Sequence, residues 1–176
     1  MDKNSSIDQV SKNIQKRENP NDVFYTPIDL VKTHLEMVKP LIQDGVIYDP
    51  FFGTGNYYNE YINYFPNCDY EYSEITMGKD FFLFDKKVDA IVSNPPYSMI
   101  NKVLEKCVEL KPKIISFLLA FHNITPKRLK YMEQNGYGVK HFHLTKVYSW
   151  YGYSIIITFE KGVDSCISCG STVYKS

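Results

Sequence analysis

The run Val88-Asp89-Ala90-Ile91-Val92 has the composition of a buried strand, and it passes without a spacer into Ser93-Asn94-Pro95-Pro96-Tyr97. Each proline fixes φ and removes a backbone donor, so the strand must stop there and a rigid turn must follow. The turn then holds one carboxamide, one bare proline carbonyl and one phenol ring at set places. The Asn94 oxygen and the Pro95 carbonyl are both acceptors and can together receive the two hydrogens of one amino group. Pro96 sets the spacing, and the Tyr97 ring offers a flat face beside them. Such a turn is suited to gripping a planar substrate through an exocyclic NH₂.

A second strand ends in a comparable way. Gly45 to Tyr48 leads into Asp49-Pro50-Phe51-Phe52-Gly53-Thr54-Gly55-Asn56, with a helix beginning near Tyr57. Paired glycines permit positive φ and let a ligand come close to the backbone. The dinucleotide-binding pattern needs a third glycine for helix packing and a helix N-terminus for pyrophosphate. Here the third glycine is absent and an acid precedes the loop, which suits a cationic nucleoside better than a phosphate.

Together these stretches resemble the amino-methyltransferases, and most of all the DNA adenine methyltransferases. Asn94-Pro95-Pro96-Tyr97 matches their catalytic tetrapeptide, and Asp49-Pro50-Phe51-Phe52-Gly53-Thr54-Gly55 is similar to their cofactor loop. The resemblance implies S-adenosylmethionine as cofactor, with Asp49, Pro50, Phe51, Gly53 and Gly55 beside it and Asn94, Pro95, Pro96 and Tyr97 at the chemistry. Upstream, Tyr25-Thr26-Pro27 precedes Ile28, Leu30, Val31, Leu35, Val38 and Leu41 at helical spacing. Thr26 reads as an N-cap and Pro27 as the first helical residue. In the resembling DNA enzymes a Phe/Tyr-x-Thr-Pro at this place meets the cofactor's carboxylate, and a helix N-terminus is an anion site. That adds Tyr25, Thr26 and Pro27 to the cofactor set.

The segment Cys68 to Ser73 alternates as a strand and ends at Glu74. An acid at the end of the second strand of a doubly wound sheet can accept both hydroxyls of a ribose; Glu74 fits this better than Glu71. Asp80-Phe81 resembles the family's Asp-Phe that holds the cofactor's adenine. The link from Glu74 is too short for a full helix, and Phe81 and Phe82 are equally candidates for the core.

Beyond the turn, Ile100 to Leu110 reads as a helix and Ile114 to Phe121 as a fully buried strand. After it come Lys127, Arg128 and Lys130, the densest basic cluster. They form either a solvated helix face or a set of phosphate contacts. Val139–Val147 and Ser154–Glu160 are expected to pair as an antiparallel hairpin. Its connection carries Trp150 and Tyr151 as candidates for stacking on a nucleic-acid base.

The expected architecture is a single doubly wound, Rossmann-like α/β methyltransferase domain over residues 22–161, with a mostly parallel sheet and a C-terminal antiparallel hairpin. A polar arm (1–21) precedes it, and a tail (162–176) is expected to leave the fold. In that tail Cys166 and Cys169 form half a zinc ribbon without a second half, so no metal site is expected. Twenty basic and twenty acidic residues in a chain of 176 cancel, which argues against tight, sequence-independent polyanion binding through overall charge. Nucleic-acid contact must come from a local patch. Four scattered cysteines, no leader and no apolar run near a membrane span point to an intracellular, reduced protein without a membrane anchor.

The expected function is S-adenosylmethionine-dependent methylation of adenine's exocyclic amine in DNA. The alternatives are an RNA methyltransferase, a protein-glutamine methyltransferase, or a catalytically silent cofactor-binding subunit of a larger complex. No separate target-recognition domain is visible, which leaves target reading to the loops, a specificity partner or a second copy.

Overall fold

The computed structural model describes residues 25–147 and 152–170. Among these, six strands form one sheet: β1 (Gly45–Asp49), β2 (Cys68–Tyr72), β3 (Ala90–Ser93), β4 (Ile114–Ala120), β5 (Tyr137–Thr145) and β6 (Ser154–Lys161). Their order is β2-β1-β3-β4-β6-β5. The first four are parallel, and β6 runs antiparallel to both β4 and β5. This is the expected mixed α/β sheet with its terminal hairpin.

Among the described residues, four helices cover the sheet on both faces: α1 (Ile28–Val38), α2 (Asn56–Tyr64), α3 (Ile100–Leu110) and α4 (Pro126–Gln134). The two-residue period of the strands sorts the core between them. Ile47, Ala90, Val92 and Ile114 face α1 and α2, where Val31, Leu35, Val38, Tyr57 and Tyr61 meet them. Tyr48, Ile91, Ile115, Phe117 and Ile157 face the other way, against Val103, Leu104, Cys107, Leu129 and Met132. In α3 the buried positions Ile100, Val103, Leu104 and Cys107 follow the three-and-four spacing of one helical stripe. That helix stops at Lys111, which takes a left-handed conformation just before Pro112.

Between β2 and β3 the chain makes only short 3₁₀ turns, at Ile75–Met77 and Phe81–Leu83. No crossover helix covers this part of the sheet, and Phe81, Phe84 and Val88 fill the space instead. The Phe84 ring stacks on Tyr48 at 4.1 Å.

Two local expectations are corrected. Helix α1 begins at Ile28, and Pro27 occupies its N-cap with no side-chain cap bond. The Thr26 hydroxyl is directed elsewhere, as described below. The C-terminal segment also stays with the fold through Cys169. The Cys166 amide donates to the Val139 carbonyl at 2.8 Å, and the Ser165 hydroxyl joins the Val139 amide to Glu133. Gly138 makes this possible, because a Cβ there would strike the Val163 carbonyl. Edge strand β5 gains partners for backbone groups that would otherwise face solvent. No helix among the described residues is long and apolar enough to cross a membrane.

Candidate active site

Strand order reverses between β1 and β3, which lie side by side with the other strands fanning out on either hand. In open α/β sheets such a switch point, at the carboxyl ends of the strands, is where ligands bind. β1 ends on Asp49 and β3 ends on Ser93, directly before Asn94. The fold therefore sets the two motifs next to each other, and the Ser93 hydroxyl donates to Asp49 Oδ1 at 2.6 Å.

Asp49 is completely buried. Its Oδ1 also accepts from the Phe51 amide at 3.3 Å, while Oδ2 has no hydrogen-bond partner among the described residues. A buried carboxylate oxygen left this way costs stability unless something positive or hydrogen-donating meets it. Burial pushes the carboxyl up to about 7; the Ser93 hydroxyl and the Phe51 amide pull it down, and the Glu74 charge adds to the rise. A cationic or hydroxyl-bearing ligand at Oδ2 would reverse much of that penalty.

After Asp49 the loop folds tightly on itself. Pro50 is buried, Phe51 is half-buried, and the Gly55 amide donates to the Phe52 carbonyl at 2.7 Å. Gly53 and Gly55 both have positive φ, 55° and 81°. At Gly55 a side chain would also meet the Phe52 ring at 2.7 Å, so conformation and space both require glycine. The Tyr25 ring lies over Gly53. Glu74 closes the loop from the other side: Oε2 accepts from the Gly53 amide at 2.9 Å and Oε1 from the Thr76 amide and hydroxyl. Partial burial raises the Glu74 carboxyl, but the Thr76 bonds and the Gly53 amide outweigh it and hold it below the usual range. Glu74 is thus ionised and fixed beside the glycines. Glu71 instead pairs with Lys86 at 2.6 Å on the surface.

Asp80 accepts from the Phe82 amide and starts the second 3₁₀ turn. Phe81 is only 3% exposed and belongs to the core, with its ring edge-on to Phe51 at 5.2 Å. Phe51 is the more exposed of this pair.

The Asn94 turn is set as the prolines dictate. Pro95 is buried, and the Pro96 carbonyl is taken by the Met99 amide in the 3₁₀ turn Tyr97–Met99. Among the described residues no backbone amide donates to the Pro95 carbonyl. The Asn94 amide nitrogen donates to Thr26 Oγ1 at 3.1 Å. The Thr26 carbonyl accepts from the Asn56 side chain at 2.8 Å, so the segment before α1 is tied to both motifs. Tyr97 is half-buried and packs against the core.

At the β4 end, Thr125 caps α4 through the Arg128 amide. The Arg128 guanidinium is directed inward, to Asn101 Oδ1 at 2.7 Å and the Asn123 carbonyl at 2.6 Å. It braces α4 against α3. Lys127 is exposed and Lys130 half-buried. Trp150 and Tyr151 lie outside the described residues. The neighbouring Tyr153 is exposed, with Lys146 Nζ 5.8 Å from its ring centre. Among the described residues no group of three or more acids, histidines and cysteines could hold a metal.

Sequence reasoning missed Ser73, whose amide donates to the Asp49 carbonyl at 2.9 Å and whose carbonyl accepts from the Phe52 amide at 3.0 Å, Asn56, and the buried His34, with Nδ1 2.8 Å from the Tyr57 hydroxyl. His34 was findable, because it sits on the buried stripe of Val31, Leu35 and Val38.

No family model and no curated protein matches the sequence. Solved structures do match in shape. Precorrin-6y C5,15-methyltransferase from Geobacter metallireducens GS-15 superposes with a TM-score of 0.58 at 16% identity, covering 76% of this chain and 88% of its own. The fold is that of the Rossmann-like methyltransferases. N-methyltransferase NodS from Bradyrhizobium japonicum WM9, in complex with S-adenosyl-L-homocysteine, also gives 0.58, at 8% identity over 88% of this chain and 97% of that one. The E. cuniculi Mtq2-Trm112 complex, responsible for methylation of the eRF1 translation termination factor, gives 0.57 at 16% identity over 78% and 98%.

Proposed function

We propose that this chain is an S-adenosylmethionine-dependent methyltransferase acting on the exocyclic amine of adenine in DNA. The observation that supports it most is the junction of the two motifs at the switch point, where Ser93, the residue before Asn94, is bonded to Asp49. The cofactor fits the residues present: Asp49 Oδ2 is a buried acceptor in need of a donor, and Glu74 is ionised beside Gly53. Asp49, Gly53, Gly55 and Glu74 would hold it, with Tyr25 and Phe51 as its apolar walls. When bound, it supplies an electrophilic methyl on a sulfonium.

The chain's own groups then account for the chemistry. Adenine's amine is a poor nucleophile because its lone pair is delocalised into the ring. The Asn94 oxygen and the Pro95 carbonyl accept its two hydrogens, favour the pyramidal nitrogen and direct the lone pair outward. Tyr97 supports one face of the base. Asn94 cannot ionise, so the amine loses its proton only after the methyl has arrived and the nitrogen has become acidic. Positioning is the main source of acceleration. A paired base is out of reach inside a duplex, so the target is flipped out or single-stranded. The exposed Lys127 would meet the flanking phosphate.

The choice of DNA rests on the resemblance of Tyr25-Thr26-Pro27 and the two motifs to the DNA adenine enzymes. A protein-glutamine substrate presents the same NH₂ to the same turn, and the eRF1-methylating neighbour favours that second reading. Incubation with methyl-labelled cofactor decides between them: adenine-containing DNA should be labelled in preference to RNA or protein, with the methyl on the exocyclic amine. Label confined to protein would promote the second reading, and the absence of transfer to any of the three would leave a silent binding subunit.

A further inference from the structure

The chain is neutral as a whole, but its charge is divided along the sheet. From Asp44 to Asp89, the span that builds the cofactor half, nine acids stand against Lys79, Lys86 and Lys87. From Ile114 to Lys161, the span of β4, α4, β5 and β6, six bases stand against Glu133 and Glu160. Those two acids lie toward the edge opposite Asn94. Glu160 is in register with Ile114, the first residue of β4, and has Lys140 Nζ 3.5 Å away. The Ser165 hydroxyl ties Glu133 to the amide of Val139, which is in register with Phe159. Of the bases, Lys127 in the first turn of α4 and Lys146 just past β5 are exposed at the ligand edge.

The same edge carries open aromatic surface. β3 and β4 are parallel with Ser93 level with Phe117, so Phe121 stands one strand away from Asn94 and about 10 Å farther along. The Phe121 amide donates to the Tyr153 carbonyl at 2.9 Å, which continues the pairing of β4 with β6 and sets these two residues opposite each other. Phe121 is 51% exposed and Tyr153 59%. Aromatics that only sealed the sheet would be buried, as Phe117 and Phe159 are. The Phe121 ring meets Phe142 of β5 edge-on at 6.4 Å, and Lys146 Nζ lies 5.8 Å from the centre of the Tyr153 ring.

Exposed aromatic rings beside lysines suit single-stranded nucleic acid, whose bases stack on the rings while its phosphates meet the ammonium groups. A strand laid over the cofactor half would instead run against surplus acids. We propose that the strand carrying the target adenine leaves the Asn94 turn across the ends of β4, β6 and β5, with Phe121 and Tyr153 stacking on its bases and Lys146 meeting a phosphate. This rests on the DNA reading above and deepens it, because the methyltransferase fold then supplies its own strand-binding surface.

The probe is a fluorescein-labelled single-stranded oligonucleotide with one adenine among thymines, followed by anisotropy in the presence of S-adenosylhomocysteine. Phe121→Ala and Tyr153→Ala should each weaken binding about fivefold or more without changing its salt dependence, and Phe121→Trp should bind within about twofold of wild type. Lys146→Gln should reduce the slope of log affinity against log salt by about 0.7, the share of one phosphate on a single strand. Ile62→Ala and Lys87→Gln, at exposed positions on the cofactor half, should leave affinity and slope unchanged. Equal affinity and slope in wild type, Phe121→Ala, Tyr153→Ala and Lys146→Gln would overturn the proposal and leave the adenine reading standing. A loss in Phe121→Ala that is as large in Phe121→Trp would also overturn it. A wild type that binds no oligonucleotide and transfers methyl only to a glutamine-bearing protein would strike the DNA reading, and the proposal with it.

Discussion

The two faces of the sheet are built on different terms. Against α3 and α4 the strands present Ile91, Ile115, Phe117, Leu119, Ile155 and Ile157 to an apolar layer, where the buried Tyr137 phenol donates to the Pro112 carbonyl. Against α1 and α2 the same strands carry Ser116 and Thr158, bonded to a buried histidine. A polar network in a core is an asset only when every member is satisfied. The α3/α4 face is held by apolar packing, whereas the α1/α2 face also carries a buried hydrogen-bonded line from Tyr57 through His34 and Ser116 to Thr158.

Substitutions should separate these roles. The largest effect on stability is expected at Phe117, fully buried on the apolar face: Phe117→Ala should cost about 3 to 5 kcal/mol in denaturant unfolding. A folded Phe117→Ala with wild-type stability and impaired methyl transfer would reverse the comparison.

Next comes pH. Burial, and to a lesser degree His141, pushes the His34 imidazole down to about 3 from 6.5. Its contribution to stability is present above 6.5 and lost as pH falls toward 3. Asp49 goes the other way: its folded value, raised from 3.8 to about 7, gives a contribution present below 3.8 and lost as pH rises through 7. Between about pH 4 and 6.5 the two slopes oppose each other, each about 1.4 kcal/mol per pH unit. Relative to wild type, Asp49→Asn should gain stability with rising pH across this window, and His34→Gln should lose it. Parallel profiles for all three proteins would show that neither group titrates as its burial requires.

Cofactor binding should report the same Asp49 proton. A cationic ligand at Oδ2 favours the ionised carboxylate, so affinity should fall by up to about tenfold per pH unit below 7 and level off above it. Calorimetry in buffers of different ionisation enthalpy should detect the released proton. The smallest effect is expected at Glu74→Gln, which keeps the shape but weakens the hold on Gly53 and Thr76. A loss of about 1 kcal/mol in cofactor affinity is the expected scale.

Most of this architecture was legible in the sequence, because its signals are local. Val88–Val92 ending at Pro95-Pro96, and Gly45–Tyr48 ending at Asp49, announce strands that stop at fixed places. The helix Ile100–Leu110 and the terminal hairpin follow from periodicity. What escaped were the long-range bonds. Thr26 has the composition of an N-cap, yet its hydroxyl serves Asn94, 68 residues away. Cys166 looks like part of a loose tail until Gly138 is seen to leave room for the chain beside it. Phe81 resembles a cofactor contact, but a crossover without a helix draws it into the core. His34 could be placed on a buried stripe by spacing alone, while its partner Ser116 is 82 residues distant.

The central claim is that binding and chemistry are adjacent but separable, with Asp49 on the cofactor and Asn94 on the amine. Its most direct test is to titrate S-adenosylmethionine into wild type, Asp49→Ala and Asn94→Ala by calorimetry, and to follow methyl transfer to adenine in the same samples. The expected result is weakened cofactor binding in Asp49→Ala, near-normal binding in Asn94→Ala and no transferred methyl in the latter. Wild-type cofactor affinity in Asp49→Ala, or undiminished transfer by Asn94→Ala, would contradict it.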